Sequence, residues 1–200
     1  MNEAFTIWFT GLSSSGKSTI ASLVTERLRA RGLSVELLDS GRIRQQLNRT
    51  LGFTREEIET NLLRLGYECR MLNRNGVIAV AAAVSPYRDV RDRLRNEIGD
   101  FVEVYCRCPL EVLMERGSRD LFERARRGEI QHVAGVNAPY EEPLKPEVLL
   151  DTDRLTPEES ADKVIATLEV LGRIRKVPQA AYTPEEEEMI RRRLQNLGYL

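Results

Sequence analysis

Cysteine, histidine and tryptophan are scarce in this chain, with three, one and one copies in 200 residues. Cys69, Cys106 and Cys108 form an odd, sparse set, which excludes a disulfide framework. Cys106 and Cys108 lie one residue apart in a strand-like run and share a face, yet neither belongs to a CxxC pair and His132 is the sole histidine. A zinc site is therefore not expected, and buried thiols are. Long apolar runs are missing too: no stretch is long enough to cross a bilayer. The N-terminus opens directly on a strand-like run without a signal-peptide pattern, so the expected location is cytoplasmic. Excess charge of either sign is also absent. With a formal net charge of −1, no global field points to nucleic acid or an anionic membrane as a partner. The basic stretches at 119–127 and 191–193 are short, as solvated helix faces are.

What is present is ordinary for one globular domain with one core: 42% apolar and 30% charged residues. Residues 5–10 form a β-rich run that leads into a Gly/Ser-rich turn, and a helical pattern then runs to about Arg31, with Gly32 as its stop. Strands are expected at 35–39, 77–84, 101–105 and 148–150. The run at 77–84 is continuously apolar, as a strand buried on both faces should be. Thr54 and Glu57 form a capping box for a helix whose stripe is Ile58, Leu62, Leu65, Cys69 and Leu72, ending at Asn75-Gly76. Thr156 to Glu159 and Thr183 to Glu186 open two further helices in the same way. Alternating strands and helices imply a parallel sheet covered on both sides, with right-handed crossovers. Residues 117–143 are rich in Arg, Glu and Gly and lack a clear strand, which suggests a lid.

The turn after the first strand carries the strongest signal. Gly11, Gly16, Lys17 and Ser18 match G-x-x-x-x-G-K-[ST], and the match sits between a strand and a helix. Glycines let backbone N–H groups turn inward around a polyphosphate, and the helix N-terminus favours negative charge. Gly11, Leu12, Ser13, Ser14, Ser15, Gly16, Lys17, Ser18 and Thr19 are thus the expected ATP-binding loop. Lys17 would reach the β and γ phosphates, and the Ser18 hydroxyl would ligate Mg²⁺. The expected fold is an α/β P-loop NTPase with a parallel five-stranded sheet, helices on both faces and a lid segment. The catalytic unit would occupy 1–175, and 176–200 would form a linker and a C-terminal helix. No NKxD base-reading motif and no Walker-type apolar run ending in an acidic pair is present, so a small-molecule kinase is favoured over a GTPase or a motor ATPase.

Several further motifs narrow the reading. GLSSSGKST at 11–19, Ser85-Pro86-Tyr87-Arg88 with Arg91 and Arg93 downstream, Pro109-Leu110-Glu111-Val112 with Arg116, Gly128-Glu129-Ile130, Pro139-Tyr140-Glu141 and Leu150-Asp151-Thr152 follow one another in order. This succession resembles the adenylylsulfate kinases, which phosphorylate the 3′-hydroxyl of adenosine 5′-phosphosulfate. The resemblance runs from Ile7 to about Thr152. It implies ATP and Mg²⁺ as cofactors, a nucleotide as small-molecule substrate, and a homodimer. It implies Arg116 and Arg119 against the donor base and phosphates. It implies Arg44, Phe53, Asn61, Arg88 and the lid arginine Arg126 on the acceptor side. Asp39, at a strand end, is a candidate for Mg²⁺-bound water or for the acceptor's proton. Ser85, at the C-terminal end of a buried strand where ligands of open sheets gather, is either a phosphoserine relay or a positioning group.

The chain departs from the family pattern at the acceptor side. The family's DGDNIR reads Asp39-Ser40-Gly41-Arg42-Ile43-Arg44, so one carboxylate becomes Gly41. Ile58 stands where the family has an acceptor-binding arginine, and Val133 where it has a stacking aromatic. Three readings therefore stay open: an adenylylsulfate kinase, a related kinase with another activated nucleotide such as a cytidine diphosphate derivative, and a nucleotide-binding protein without turnover.

Overall fold

The computed structural model describes residues 4–41 and 54–176. Five strands, β1 (Thr6–Thr10), β2 (Val35–Asp39), β3 (Ile78–Ala82), β4 (Phe101–Arg107) and β5 (Val148–Asp151), form one sheet in the order β2-β3-β1-β4-β5. Every pairing is parallel. Helices α1 (Lys17–Ala30), α2 (Arg55–Arg74) and α3 (Arg88–Ile98) follow the first three strands. After β4 come the short α4 (Leu110–Leu113), a wide turn over Met114–Ser118 and α5 (Arg119–Arg126). Helix α6 (Pro157–Val170) follows β5.

Strand alternation divides the core. Ile7 and Phe9 of β1 pack with Ile20, Val24, Val164 and Leu168 of α1 and α6, while Trp8 packs on the other face with Leu62, Leu65 and Leu94 of α2 and α3. Thr54 and Thr156 accept the N–H of Glu57 and Glu159, and each glutamate returns a bond to its cap, so both described capping boxes form as expected. Gly66 lets α2 and α3 approach closely, since a Cβ there would lie 2.3 Å from Leu94 Cδ2. Burial pushes the thiols of Cys69 and Cys106 up to about 12, which makes them inert core groups, and all three cysteines are free.

Two features differ from the sequence reading. Helix α3 has no named sequence expectation, because its buried stripe is Val90, Arg91 and Leu94 and the arginine breaks the apolar period. Residues 117–143 are not a purely polar excursion. Phe122, Ala125 and Val133 join Cys108 and Leu113 in a separate small core, with Leu12, Ile130 and Val136 against it. The helix expected after Thr183 and the linker before it lie outside the described residues.

Candidate active site

β1 runs straight into the loop at 11–16, and α1 begins at Lys17. Gly11 has φ 146°, and a Cβ there would meet the Cys106 carbonyl at 2.5 Å, so only glycine lets the loop pass this close to β4. Ser14 and Gly16 also take positive φ, which curls the loop ahead of the helix. Ser15 is fully buried and its N–H donates to the Leu12 carbonyl, Ser13 is half-buried, and Ser14 exchanges a 2.6 Å hydrogen bond with Ser118 at the lid entry. Ser18 and Thr19 stand exposed on the first turn of α1.

Lys17 is 8% exposed, and its ammonium donates to the Leu12 carbonyl at 2.6 Å and to Ser15 Oγ at 3.5 Å. Burial lowers its pKa to about 8, against an upward pull from Cys106 and from the Asp39 carboxylate. Asp39 stands at the end of β2. Asp39 Oδ1 accepts the N–H of Gly41 at 2.9 Å.

A cleft of about 520 Å³ opens beside the loop, lined by Ser14, Lys17, Ser18, Arg116, Thr152 and Leu155 among others. Arg116, which also lines this cleft, donates to the Thr152 carbonyl at 2.7 Å and lies within 3.9 Å of Cys108 Sγ. The phosphate-loop residues, an arginine and apolar Leu155 and Pro157 line one cleft, a chemistry that fits a nucleoside triphosphate. A second cleft of about 530 Å³ is lined by Leu12, Tyr105, Arg107, Gly135, Tyr140 and Asp151 among others. The two are equal in size, so chemistry decides between them, and only the first holds the lysine and the helix N-terminus.

The other expected site residues are placed unequally. Arg119 and Arg126 are exposed on α5. Asn61 is half-buried on α2. Arg44 and Phe53 lie outside the described residues. Arg88 is half-buried, and its Nε and Nη2 donate to the Glu142 carbonyl at 3.3 and 2.9 Å. Ser85 does not line either cleft. It is 1% exposed, accepts a 3.0 Å bond from Trp8 Nε1 and donates to Thr10 Oγ1 at 2.9 Å. Val133 and Ile58 both face apolar clusters, Val133 inside the lid core and Ile58 against the α2–α3 core.

A family model described as Adenylylsulphate kinase matches residues 3–151. The chain belongs to the adenylylsulphate kinase family. It is 45% identical over 174 residues to the adenylyl-sulfate kinase of Rippkaea orientalis, covering 87% of this chain and 96% of the relative. It is 46% identical over 170 residues to a probable bifunctional SAT/APS kinase 2 of Sorangium cellulosum, covering 85% of this chain but 29% of that protein. Among solved structures, the Mycobacterium tuberculosis APS kinase in complex with AMPPNP and APS superposes with a TM-score of 0.78 at 38% identity, covering 84% of this chain and 99% of that one. Membership in this family fixes the enzyme class as a kinase that transfers phosphate to a hydroxyl. Among the described residues, no helix is long and apolar enough to cross a membrane.

Three residues that hold this region, Trp8, Thr10 and Glu103, were missed by the sequence reading. Trp8 and Thr10 hold Ser85, and Tyr140 meets Thr10 at 2.9 Å. Glu103 lies buried in a strand that read as apolar, paired with Arg91 at 2.8 Å. The one available signal was the charge at Glu103 inside the run FVEVY.

Proposed function

We propose that this chain transfers the γ-phosphoryl group of ATP to the 3′-hydroxyl of adenosine 5′-phosphosulfate, giving 3′-phosphoadenosine 5′-phosphosulfate. The observation that carries the reading is the buried Lys17 beside Ser18 in the lining of a cleft that fits a triphosphate, in a chain of this family. Phosphoryl transfer needs positioning and charge neutralisation more than covalent chemistry. Lys17 supplies a fixed positive charge where negative charge builds up on the transferred group. Arg116, in the lining of the same cleft, orients the donor. Asp39 accepts the acceptor's proton or holds the water that does.

Mg²⁺ fits the residues present. The Ser18 hydroxyl and the Asp39 carboxylate are hard oxygen donors, the kind this ion takes in ones and twos beside substrate phosphates. Among the described residues no cluster of three or more His, Cys, Asp or Glu exists to cage a metal, and a phosphate-bound Mg²⁺ needs none. When bound, the ion neutralises charge on the β and γ phosphates. Segment 117–143 acts as the lid, and 176–200 is appended to the catalytic unit. The enzyme works as a homodimer in the cytoplasm, where its ATP is held. Transfer from labelled ATP to adenosine 5′-phosphosulfate, set against a panel of other activated nucleotides, tests the reading. Transfer to another acceptor alone refutes the substrate, and transfer to none refutes the activity.

A further inference from the structure

We infer that Arg91 is a positioning residue that joins the loop after β3 to the exit of the lid, so that these two segments move as one body. This rests on the phosphoryl transfer proposed above. Arg91 is 2% exposed and spends its planar fork in three directions. Its Nε donates to Glu103 Oε1 at 2.8 Å, Nη1 to the Ser85 carbonyl at 2.6 Å, and Nη2 to the Glu141 carbonyl at 2.6 Å. A lysine at this place reaches one of the carbonyls but not both with fixed geometry.

The position is a poor one for a charge. It lies on the buried stripe of α3 between Val90 and Leu94, where an apolar side chain would pack without the desolvation cost of an ion pair. Stability alone therefore does not account for an arginine, whereas its geometry does. Around it the two segments are sewn together. The Glu141 N–H donates to the Pro86 carbonyl, the Arg88 N–H donates to Glu141 Oε2, and the Arg88 guanidinium holds the Glu142 carbonyl. Ser85, whose carbonyl Arg91 grips, has φ 38°, a conformation that persists in a non-glycine residue only when its surroundings enforce it.

The other end of the lid is tied elsewhere. Ser118 at the lid entry bonds to Ser14 of the phosphate loop at 2.6 Å. The lid thus has one anchor on the donor loop and one on the loop after β3, and Arg91 is the centre of the second. The resemblance of Ser85-Pro86-Tyr87-Arg88 to the family motif puts this loop on the acceptor side, so occupancy there is transmitted to the lid through Arg91.

The test uses Arg91→Lys and the neutral pair Arg91→Met with Glu103→Leu, which leaves no buried carboxylate without a partner. The expected result for the pair is cooperative unfolding and affinity for a non-hydrolysable ATP analogue within about twofold of the parent. Its KM for adenosine 5′-phosphosulfate should rise about tenfold or more, with a smaller fall in kcat, and Arg91→Lys should lie between. An unchanged acceptor KM in the pair, or a parallel loss of donor affinity, overturns the inference. Hydrogen exchange of the parent judges it even if the variants fail to fold. The Arg88 and Glu141 amides, bonded across the seam, should show one common opening free energy once their intrinsic exchange rates are divided out, and different opening free energies overturn the inference. A parent that transfers phosphate to no acceptor defeats the functional reading instead and leaves the exchange measurement in force.

Discussion

The Lys17 ammonium donates a 2.6 Å hydrogen bond to the carbonyl of Leu12, five residues back in the same loop. The lysine thus closes the loop on itself and is buried as it does so, which is why its pKa falls to about 8. The unfolded chain holds that proton up to about 10.5. Between these values the unfolded state binds more protons, so the folded state gains stability as pH rises from about 8 to about 10.5, by about 3 kcal/mol at most.

A polyphosphate beside the ammonium restores the charged form. Donor binding near pH 8 should therefore take up roughly half a proton per site. Calorimetry of a non-hydrolysable ATP analogue in buffers of different ionisation enthalpy measures this directly. Lys17→Ala should abolish both the uptake and turnover while leaving the fold intact. Unaltered phosphoryl transfer in that variant would remove the loop from the mechanism.

Asp39→Asn keeps an oxygen for the Gly41 N–H and removes only the charge. Stability should change by less than about 1 kcal/mol. The maximal rate should fall by about 10²-fold or more if the carboxylate handles a proton or a metal-bound water. Thermal unfolding and initial rates on one preparation separate the two roles. A large stability loss with rate per folded molecule preserved would make Asp39 a capping residue.

Ser85→Ala leaves the Trp8 indole N–H buried without its 3.0 Å acceptor, at a cost of about 1–3 kcal/mol. Activity should survive with a raised acceptor KM, because a hydroxyl held by Trp8 and Thr10 is placed to fix the loop rather than to attack phosphorus. Trp8 is the sole tryptophan, so its emission should shift in this variant and reports the loop directly. Loss of all turnover, together with a labelled phosphoserine in the parent, would establish a covalent relay.

Arg116→Ala removes a guanidinium from the lining of the cleft beside the phosphate loop and the 2.7 Å bond to the Thr152 carbonyl. The KM for ATP should rise about tenfold while the acceptor KM stays within about twofold. Steady-state kinetics with each substrate varied in turn distinguish this from a general loosening, which would raise both.

The sequence by itself determined the phosphate loop, because its chemistry is local: Gly11 must pass a carbonyl, and Lys17 and Ser18 must start the helix that follows. It determined the strand–helix alternation and both described capping boxes for the same reason, since period and cap are written within a few residues. It did not determine where Arg91 points. One arginine among the four of a polar helix carries no local sign of burial, and only the approach of β4, the loop after β3 and the lid exit encloses it with Glu103, Ser85 and Glu141. Nor did it determine the fate of Ser85 or Val133. Ser85 reads as a strand-end site residue and Val133 as the replacement of a stacking aromatic, and each side chain lies in an interior built from distant segments, Trp8 and Thr10 for the serine, Phe122 and Leu113 for the valine. Local periodicity fixes which residues share a face, but burial of a particular side chain depends on what the rest of the chain brings against that face.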